Sequence, residues 1–351
     1  MTLWRSLSSS LAIIALGFVV ASAQTPASKQ PSDSRPKVAA PGERPAADAA
    51  PIDEKLRSGL AVQVALDRAG FSPGEIDGAP GKNTERARQA FESSKTAPRD
   101  EGHGGIDTTA DPLTTYVITA ADAAGPFVGT LPDDMMEKSK LPALGYASLV
   151  EMLAERFHAS PKLLQRLNPG VTFVEGDTIT VPNVEPFMPP APKPAAQKPA
   201  AGQKPAPNSA RAPAREPVTV TVTDGTKMLQ VVNAAGQTIF HAPVTVGSQN
   251  DPLPVGEWKV NGVSENPPFN YNPDLFWDAD ASHAKAKIAP GPNNPVGVVW
   301  VDLSKEHYGI HGTPEPSRIG YTESHGCIRL TNWDAMRLAA LVGPGTKVVL
   351  R

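Results

Sequence analysis

The chain has 351 residues, enough for two or three small domains, and its formal net charge of -3 implies no strong electrostatic partner. It carries no basic stripe of the kind that binds nucleic acid. Proline is frequent, at 38 residues, but is concentrated in two tracts, which argues for folded modules joined by linkers.

The N-terminus reads as a secretory signal over residues 1–23. Arg5 supplies a short positive region, Leu11 to Ala21 is apolar or small throughout, and Ala21-Ser22-Ala23 is an A-x-A-type cleavage site. The alternative is an uncleaved anchor, although the run is short for a membrane span. No cysteine follows the cleavage site, so a lipoprotein is excluded. The mature chain is expected to be exported, periplasmic or wall-associated, with no transmembrane segment once the signal is removed. Residues 24–54 are rich in Pro, Ala and Ser and are expected to be disordered.

Residues 55–98 form the first candidate module. Gly59 to Ala69 suits a helix, a turn-rich stretch runs from Phe71 to Gly81, and Thr84 can cap a second helix with Ala87, Ala90 and Phe91 on one face. The Gly-Phe helix end, the Ile76-Asp77-Gly78 turn and the Thr-capped second helix resemble the small helical peptidoglycan-binding domain of bacterial wall enzymes. A generic helical hairpin is the alternative.

Residues 114–184 form the second. Tyr116 to Ile118 reads as a strand, and Ser148-Leu149-Val150-Glu151 is a capping box before an apolar stripe. A further helix starts at Ser160-Pro161 and stops at Asn168-Pro169-Gly170, and Thr178 to Pro182 is a strand. Strand, helix, helix, strand with Leu167-Asn168-Pro169 resembles an α+β LysM glycan-binding module, from which the insertion Gly125 to Pro142 departs. Residues 185–216 are a Pro/Ala/Lys linker that could extend roughly 100 Å at about 3.1 Å per residue.

Residues 217–351 are rich in short strands: Val218 to Val222, Met228 to Val232 beyond the Asp224-Gly225 turn, Thr238 to His241, Val244 to Val246 and Val296 to Val301. A late helix at Trp333 to Leu341 and a last strand at Lys347 to Leu350 complete a mainly β pattern.

Cys327 is the one cysteine of the chain. It cannot form an internal disulfide, so it is either an inert buried thiol or a reactive one. Gly326, His325 and His311 nearby favour reactivity. A free thiol is mostly protonated at neutral pH, and an imidazole can take its proton. A zinc site lacks a third close ligand with recognisable spacing.

His311-Gly312-Thr313 followed by Ser324-His325-Gly326-Cys327-Ile328-Arg329-Leu330 resembles the YkuD-type L,D-transpeptidase catalytic domain. Gly247, Pro254-x-Gly256 and Gly291 to Gly297 extend the resemblance over nearly the whole third module. The fold expected is therefore multidomain: this mainly-β catalytic domain, preceded by the small helical and the LysM-like modules. The resemblance implies Cys327 as nucleophile, His311 as general base, the Gly312 carbonyl as the group that orients the imidazole, and Gly326 beside the oxyanion. Ser324, His325 and Arg329 match positions lining the substrate site, Arg329 standing where some members carry Asn and serving either a carboxylate or the loop itself. His103, His158, His241, His283 and His307 are read as structural. Trp258, Phe269, Tyr271, Phe276 and Trp277 are read mainly as core, with a peptide groove as the other use.

The same resemblance implies a peptidoglycan L,D-transpeptidase that forms 3-3 cross-links through a thioester, needs no cofactor, and is inhibited by carbapenems. Its partners would be tetrapeptide stems and glycan strands, and the chain is read as a monomer. An L,D-carboxypeptidase, an enzyme attaching proteins to the wall, a cysteine peptidase and a non-catalytic wall-binding adaptor stay open beside it.

Overall fold

A computed structural model describes residues 52–94, 105–191 and 216–351. The expected signal peptide, most of the first linker and residues 192–215 of the second lie outside the described residues. Among the described residues no helix is long and apolar enough to cross a membrane.

Helix α1 (Glu54–Arg68) begins where the Asp53 side chain accepts the Lys55 N–H, earlier than the sequence suggests, and α2 (Lys82–Ser93) runs back along it. Strands β1 (Leu113–Val117) and β2 (Thr178–Pro182) pair antiparallel. Between them lie four helices: α3 (Ala120–Ala123), α4 (Met135–Lys138), α5 (Leu149–Arg156) and α6 (Pro161–Leu167). The Ser148 hydroxyl caps α5 and the Ser160 hydroxyl caps α6, as the motifs predict. The sequence suggests two separate modules here, yet the two segments share a core. Leu56, Leu60, Val64 and Ile76 pack with Ile118, Leu153, Phe157, Leu164 and Ile179. Neither segment has enough apolar surface to build that interior alone.

Residues 216–351 form an eight-stranded sheet in the order β11-β10-β9-β6-β12-β3-β4-β5. Its strands are β3 (Val218–Thr223), β4 (Met228–Asn233), β5 (Thr238–Pro243), β6 (Gly256–Glu265), β9 (Val299–Leu303), β10 (Gly309–His311), β11 (Ile328–Arg329) and β12 (Lys347–Leu350), with a separate hairpin of β7 (Phe269–Tyr271) and β8 (Ala286–Ile288). The β3 sequence alternates valine with threonine, and Val220 and Val222 turn into the core. Val244 to Val246 forms no continuous strand; single bridges pair Thr245 with Arg329 and Gly247 with Ser324. Strand β9 starts only at Val299, because Gly297 sits at φ +61° in a turn.

Helix α7 (Asn332–Leu341), capped by the Thr331 hydroxyl, lies at the centre of the assembly. Trp333 and Leu338 bury against the sheet. The other side of α7 meets the N-terminal segments through polar groups. Arg337 donates to both carboxylate oxygens of Asp67 at 2.8 and 2.9 Å, and Ser72 donates to Asp334 at 2.8 Å. The His158 ring stacks on Trp333. Phe71 bridges His241 at the outer strand β5, with the Ser72 N–H on the His241 carbonyl at 2.8 Å and the His241 N–H on the Gly70 carbonyl at 2.9 Å.

The insertion Gly125 to Pro142 is a strap against the β7–β8 hairpin. Leu131, Met135 and Leu141 pack with Tyr271 and Ile288. Asp134 lies 2.8 Å from His283, whose other nitrogen is 2.8 Å from the Tyr271 hydroxyl.

Candidate active site

Three adjacent strands assemble the site. Strand β10 pairs antiparallel with β9, setting His311 opposite Trp300, and parallel with β11, setting His311 opposite Arg329. Cys327 immediately precedes Ile328, the partner of Ile310, so the parallel pairing sets Cys327 beside the strand that carries His311. The chain between the two strands, residues 312–327, is the loop that makes the parallel connection possible.

His311 is buried and its ring stacks on Trp300, with centroids 5.5 Å apart and planes 17° apart. Its Nδ1 donates to the Gly312 carbonyl at 2.6 Å. That bond fixes the tautomer: the neutral ring keeps its lone pair on Nε2. Burial pushes the His311 pKa down to about 3, the Arg329 charge adds to the shift, and the Gly312 bond opposes it.

Cys327 is half-buried, and its Sγ lies 3.7 Å from the His307 carbonyl, just ahead of β10. Burial pushes the thiol pKa up, against the pull of the Gly309 backbone and the Arg329 charge. A lowered imidazole and a raised thiol make the resting pair neutral. Both shifts favour a neutral thiol and a neutral imidazole over an ion pair.

The nucleophile loop is held from both sides. The Ser324 hydroxyl donates to the Cys327 carbonyl at 2.6 Å, and the Ser324 N–H donates to Val246 at 2.9 Å. Thr245 and Arg329 exchange backbone bonds at 2.8 and 3.0 Å. Gly326 has φ +103°, and a Cβ there would meet the Tyr308 hydroxyl at 2.9 Å, so the turn into Cys327 needs glycine. Ser324 is buried, with its hydroxyl spent on this loop.

His325 points elsewhere. Its Nε2 lies 2.7 Å from Asp278, and its ring packs against Phe276 and Trp277. Arg329 makes no ion pair with a carboxylate among the described residues, and its Nε is buried without a partner. Burial lowers its pKa, while Cys327 and Glu315 raise it. Of the five aromatics singled out, Tyr271 is buried, Phe269, Phe276 and Trp258 are half-buried, and Trp277 is exposed beside His325.

Sequence reasoning gave no role to Tyr308, whose hydroxyl lies against Gly326 and whose pKa is raised by burial and by Cys327. It also passed over Asn332. That side chain is fully buried against Gly312 and Gly297, where an added Cβ would come within 2.2 and 2.0 Å of its Oδ1. Two glycines facing one asparagine across the motif were the available signal.

Residues 217–350 match the family model for the YkuD L,D-transpeptidase catalytic domain. The putative L,D-transpeptidase YkuD of Bacillus licheniformis is 54% identical over 59 residues, 17% of this chain and 36% of that protein. The putative L,D-transpeptidase YqjB of Bacillus subtilis is 31% identical over 113 residues, 30% of this chain and 56% of that protein. The chain thus spans less than two thirds of the length of these curated relatives. A solved L,D-transpeptidase from Mycobacterium smegmatis superposes with a TM-score of 0.32 at 18% identity, over 39% of this chain and 59% of that one.

Proposed function

We propose that the L,D-transpeptidase catalytic domain at residues 217–350 acts on peptidoglycan stems through Cys327, with His311 as its base. The observation that carries this reading is the 2.6 Å bond from His311 Nδ1 to the Gly312 carbonyl, on the strand that runs parallel to the Cys327 strand. It leaves Nε2 as the proton acceptor, the role an orienting carboxylate or amide fixes in other triads.

The donor is the tetrapeptide stem, attacked at the carbonyl of the L-centre of its third residue, diaminopimelate. Because thiol and imidazole rest neutral, the proton passes from Sγ to Nε2 as the C–S bond forms. The negative charge that develops on the carbonyl oxygen falls to the N–H groups of Gly326 and Cys327. The C–N bond to D-Ala then breaks, His311 returns the proton to the leaving amine, and a thioester remains. An amine of a neighbouring stem attacks the thioester, gives its proton to His311, and releases the thiolate, which His311 reprotonates. The product is a 3-3 cross-link. Arg329, half-buried and without a carboxylate partner, is suited to a carboxylate of the stem.

The segments at 55–98 and 114–184 are read as wall-engaging elements on sequence resemblance. The Asn168 side chain of the Leu-Asn-Pro motif braces its own fold: it donates to Leu164 and Thr180 and accepts the Thr180 N–H.

Incubation of the protein with purified tetrapeptide muropeptides, followed by mass spectrometry, tests the proposal. A dimer lacking one D-Ala, absent with Cys327→Ala, supports it. Tripeptide alone points to the carboxypeptidase. Unchanged stems without an adduct on Cys327 overturn it.

A further inference from the structure

The orienting carbonyl of Gly312 is itself held in place from outside the catalytic domain. Asn332 uses both of its N–H donors and accepts one hydrogen bond. Its Oδ1 accepts the Val298 N–H at 3.2 Å, and its Nδ2 donates to the Pro292 carbonyl at 3.1 Å and to Glu155 Oε1 at 2.8 Å. The Oδ1 sits in the notch left by Gly297 and Gly312, close enough that neither position has room for a Cβ. The Gly312 Cα therefore packs against the Asn332 amide, and the Gly312 carbonyl accepts the hydrogen bond from His311 Nδ1.

Glu155 belongs to α5, far from the catalytic domain in sequence. Its other oxygen accepts the Tyr146 hydroxyl at 2.5 Å, so both oxygens are engaged and the carboxyl is fixed. Burial raises its pKa to about 7, with Tyr146 and Asn332 opposing and Glu151 adding to the rise. Burying a carboxyl at this cost is unnecessary for filling space; a methionine would fill it. Its geometry is what a positioning role requires.

We infer that Glu155 is a positioning residue for the catalytic base, acting through Asn332 and the Gly312 carbonyl on His311. The inference rests on the reading of His311 as base. It assigns the segment between β1 and β2 a part in the chemistry distinct from holding the wall polymer. Loss of the Glu155 acceptor frees one Asn332 N–H, lets the amide turn, and withdraws the support behind Gly312. The imidazole then loses its fixed tautomer, and Cys327 reverts towards an isolated buried thiol.

Cys327 is the single thiol of the chain, so its alkylation by iodoacetamide can be followed without interference and without any wall substrate. The rate is measured from pH 5 to 9 on the full chain, by mass spectrometry of the adduct. Four proteins are compared: wild type, His311→Gln, Glu155→Gln, and the double variant Tyr146→Phe/Glu155→Met. The double variant removes both members of the buried pair with little change of shape, which protects folding, and thermal melting checks this. Glu155→Gln keeps an acceptor for Asn332 and can offer its NH2 to the Tyr146 oxygen.

The expected result is that the double variant and His311→Gln both lose about tenfold in rate at neutral pH, while Glu155→Gln stays near wild type. A double-variant profile that superimposes on wild type, with His311→Gln still slow, overturns the inference and leaves the base assignment intact. A His311→Gln profile that superimposes on wild type removes the base assignment, and the inference with it. Should the double variant fail to fold, Glu155→Met alone takes its place: a profile like that of His311→Gln supports the inference, and a wild-type profile overturns it.

Discussion

Asp67 and Arg337 are joined by two parallel hydrogen bonds, and Asp67 has no access to solvent. One residue lies in the last turn of α1 and the other far along the chain, in α7. Burial pushes the Asp67 carboxyl up, but His158 and Arg337 outweigh it and hold it well below the usual carboxylate range. A bidentate pair of this kind is costly to break from one side, because the survivor is left buried and unpaired. Asp67→Asn is expected to destabilise the protein by about 3–5 kcal/mol, read as a lower denaturant midpoint in equilibrium unfolding. A loss below about 1 kcal/mol would show that the pair is no more than a surface contact.

Two buried carboxyls, Glu155 and Asp334, pull the pH dependence of stability in the direction opposite to that of most proteins. Burial raises Glu155 to about 7 and Asp334 to about 6, well above their values in an unfolded chain. The folded state therefore binds these protons more tightly. The associated stability is complete below about pH 4 and is lost as pH rises through 6 and 7. Asp67 works the other way below its unfolded value of about 4, and His311 and His241, both held down to about 3 by burial, work the other way below about 6.5. The difference in melting temperature between Glu155→Gln and wild type is expected to move in the variant's favour from pH 5 to pH 8. A difference that stays constant over that range would contradict this.

The two histidines near Cys327 should behave oppositely. His325 is committed to Asp278 and to the aromatic side chains of the loop that follows β7. His325→Gln is expected to leave the acylation rate of Cys327 within about threefold, whereas His311→Gln should lower it at least a hundredfold. Rapid-mixing kinetics with an acylating β-lactam separates them, and equal losses would place the base elsewhere.

Gly326→Ala tests the turn into the nucleophile. Alanine is strained at φ +103° and meets the Tyr308 hydroxyl. The expected result is a loss of about a hundredfold in acylation, with stability lowered by only about 1–3 kcal/mol, because the strain falls on the Gly326 and Cys327 amides rather than on the core. A variant that acylates at the wild-type rate would show that these amides carry no catalytic charge.

Much of the catalytic domain was legible from local pattern. The Asp224-Gly225 turn, the alternating valines of β3, the last strand at Lys347–Leu350 and α7 to within one residue follow from turn chemistry and periodicity. Val244 to Val246 misled, because a run of buried valines looks the same whether it pairs continuously or, as here, bridges only at Thr245 and Gly247. The neighbourhood of His311 and Cys327 came from their motif, and the parallel pairing of β10 with β11 supplies its physical basis. Asp67, Glu155 and Asp334 gave no signal. A charged residue on an amphipathic helix reads as solvated, and nothing in a single sequence marks the few that are buried against a distant element.

The stitch between Phe71 and His241 has a consequence for how such a chain can change over time. Strand β5 ends the sheet, and residues 70–72 occupy its outward hydrogen-bonding groups next to His241. The proline-rich tract offers a convenient point of recombination, but the halves on either side are not interchangeable parts. A new N-terminal half joined there would have to bring its own cover for β5 and its own partners for Arg337 and Asp334, or leave a bare sheet edge open to pairing with other chains. The two halves are expected to be inherited together.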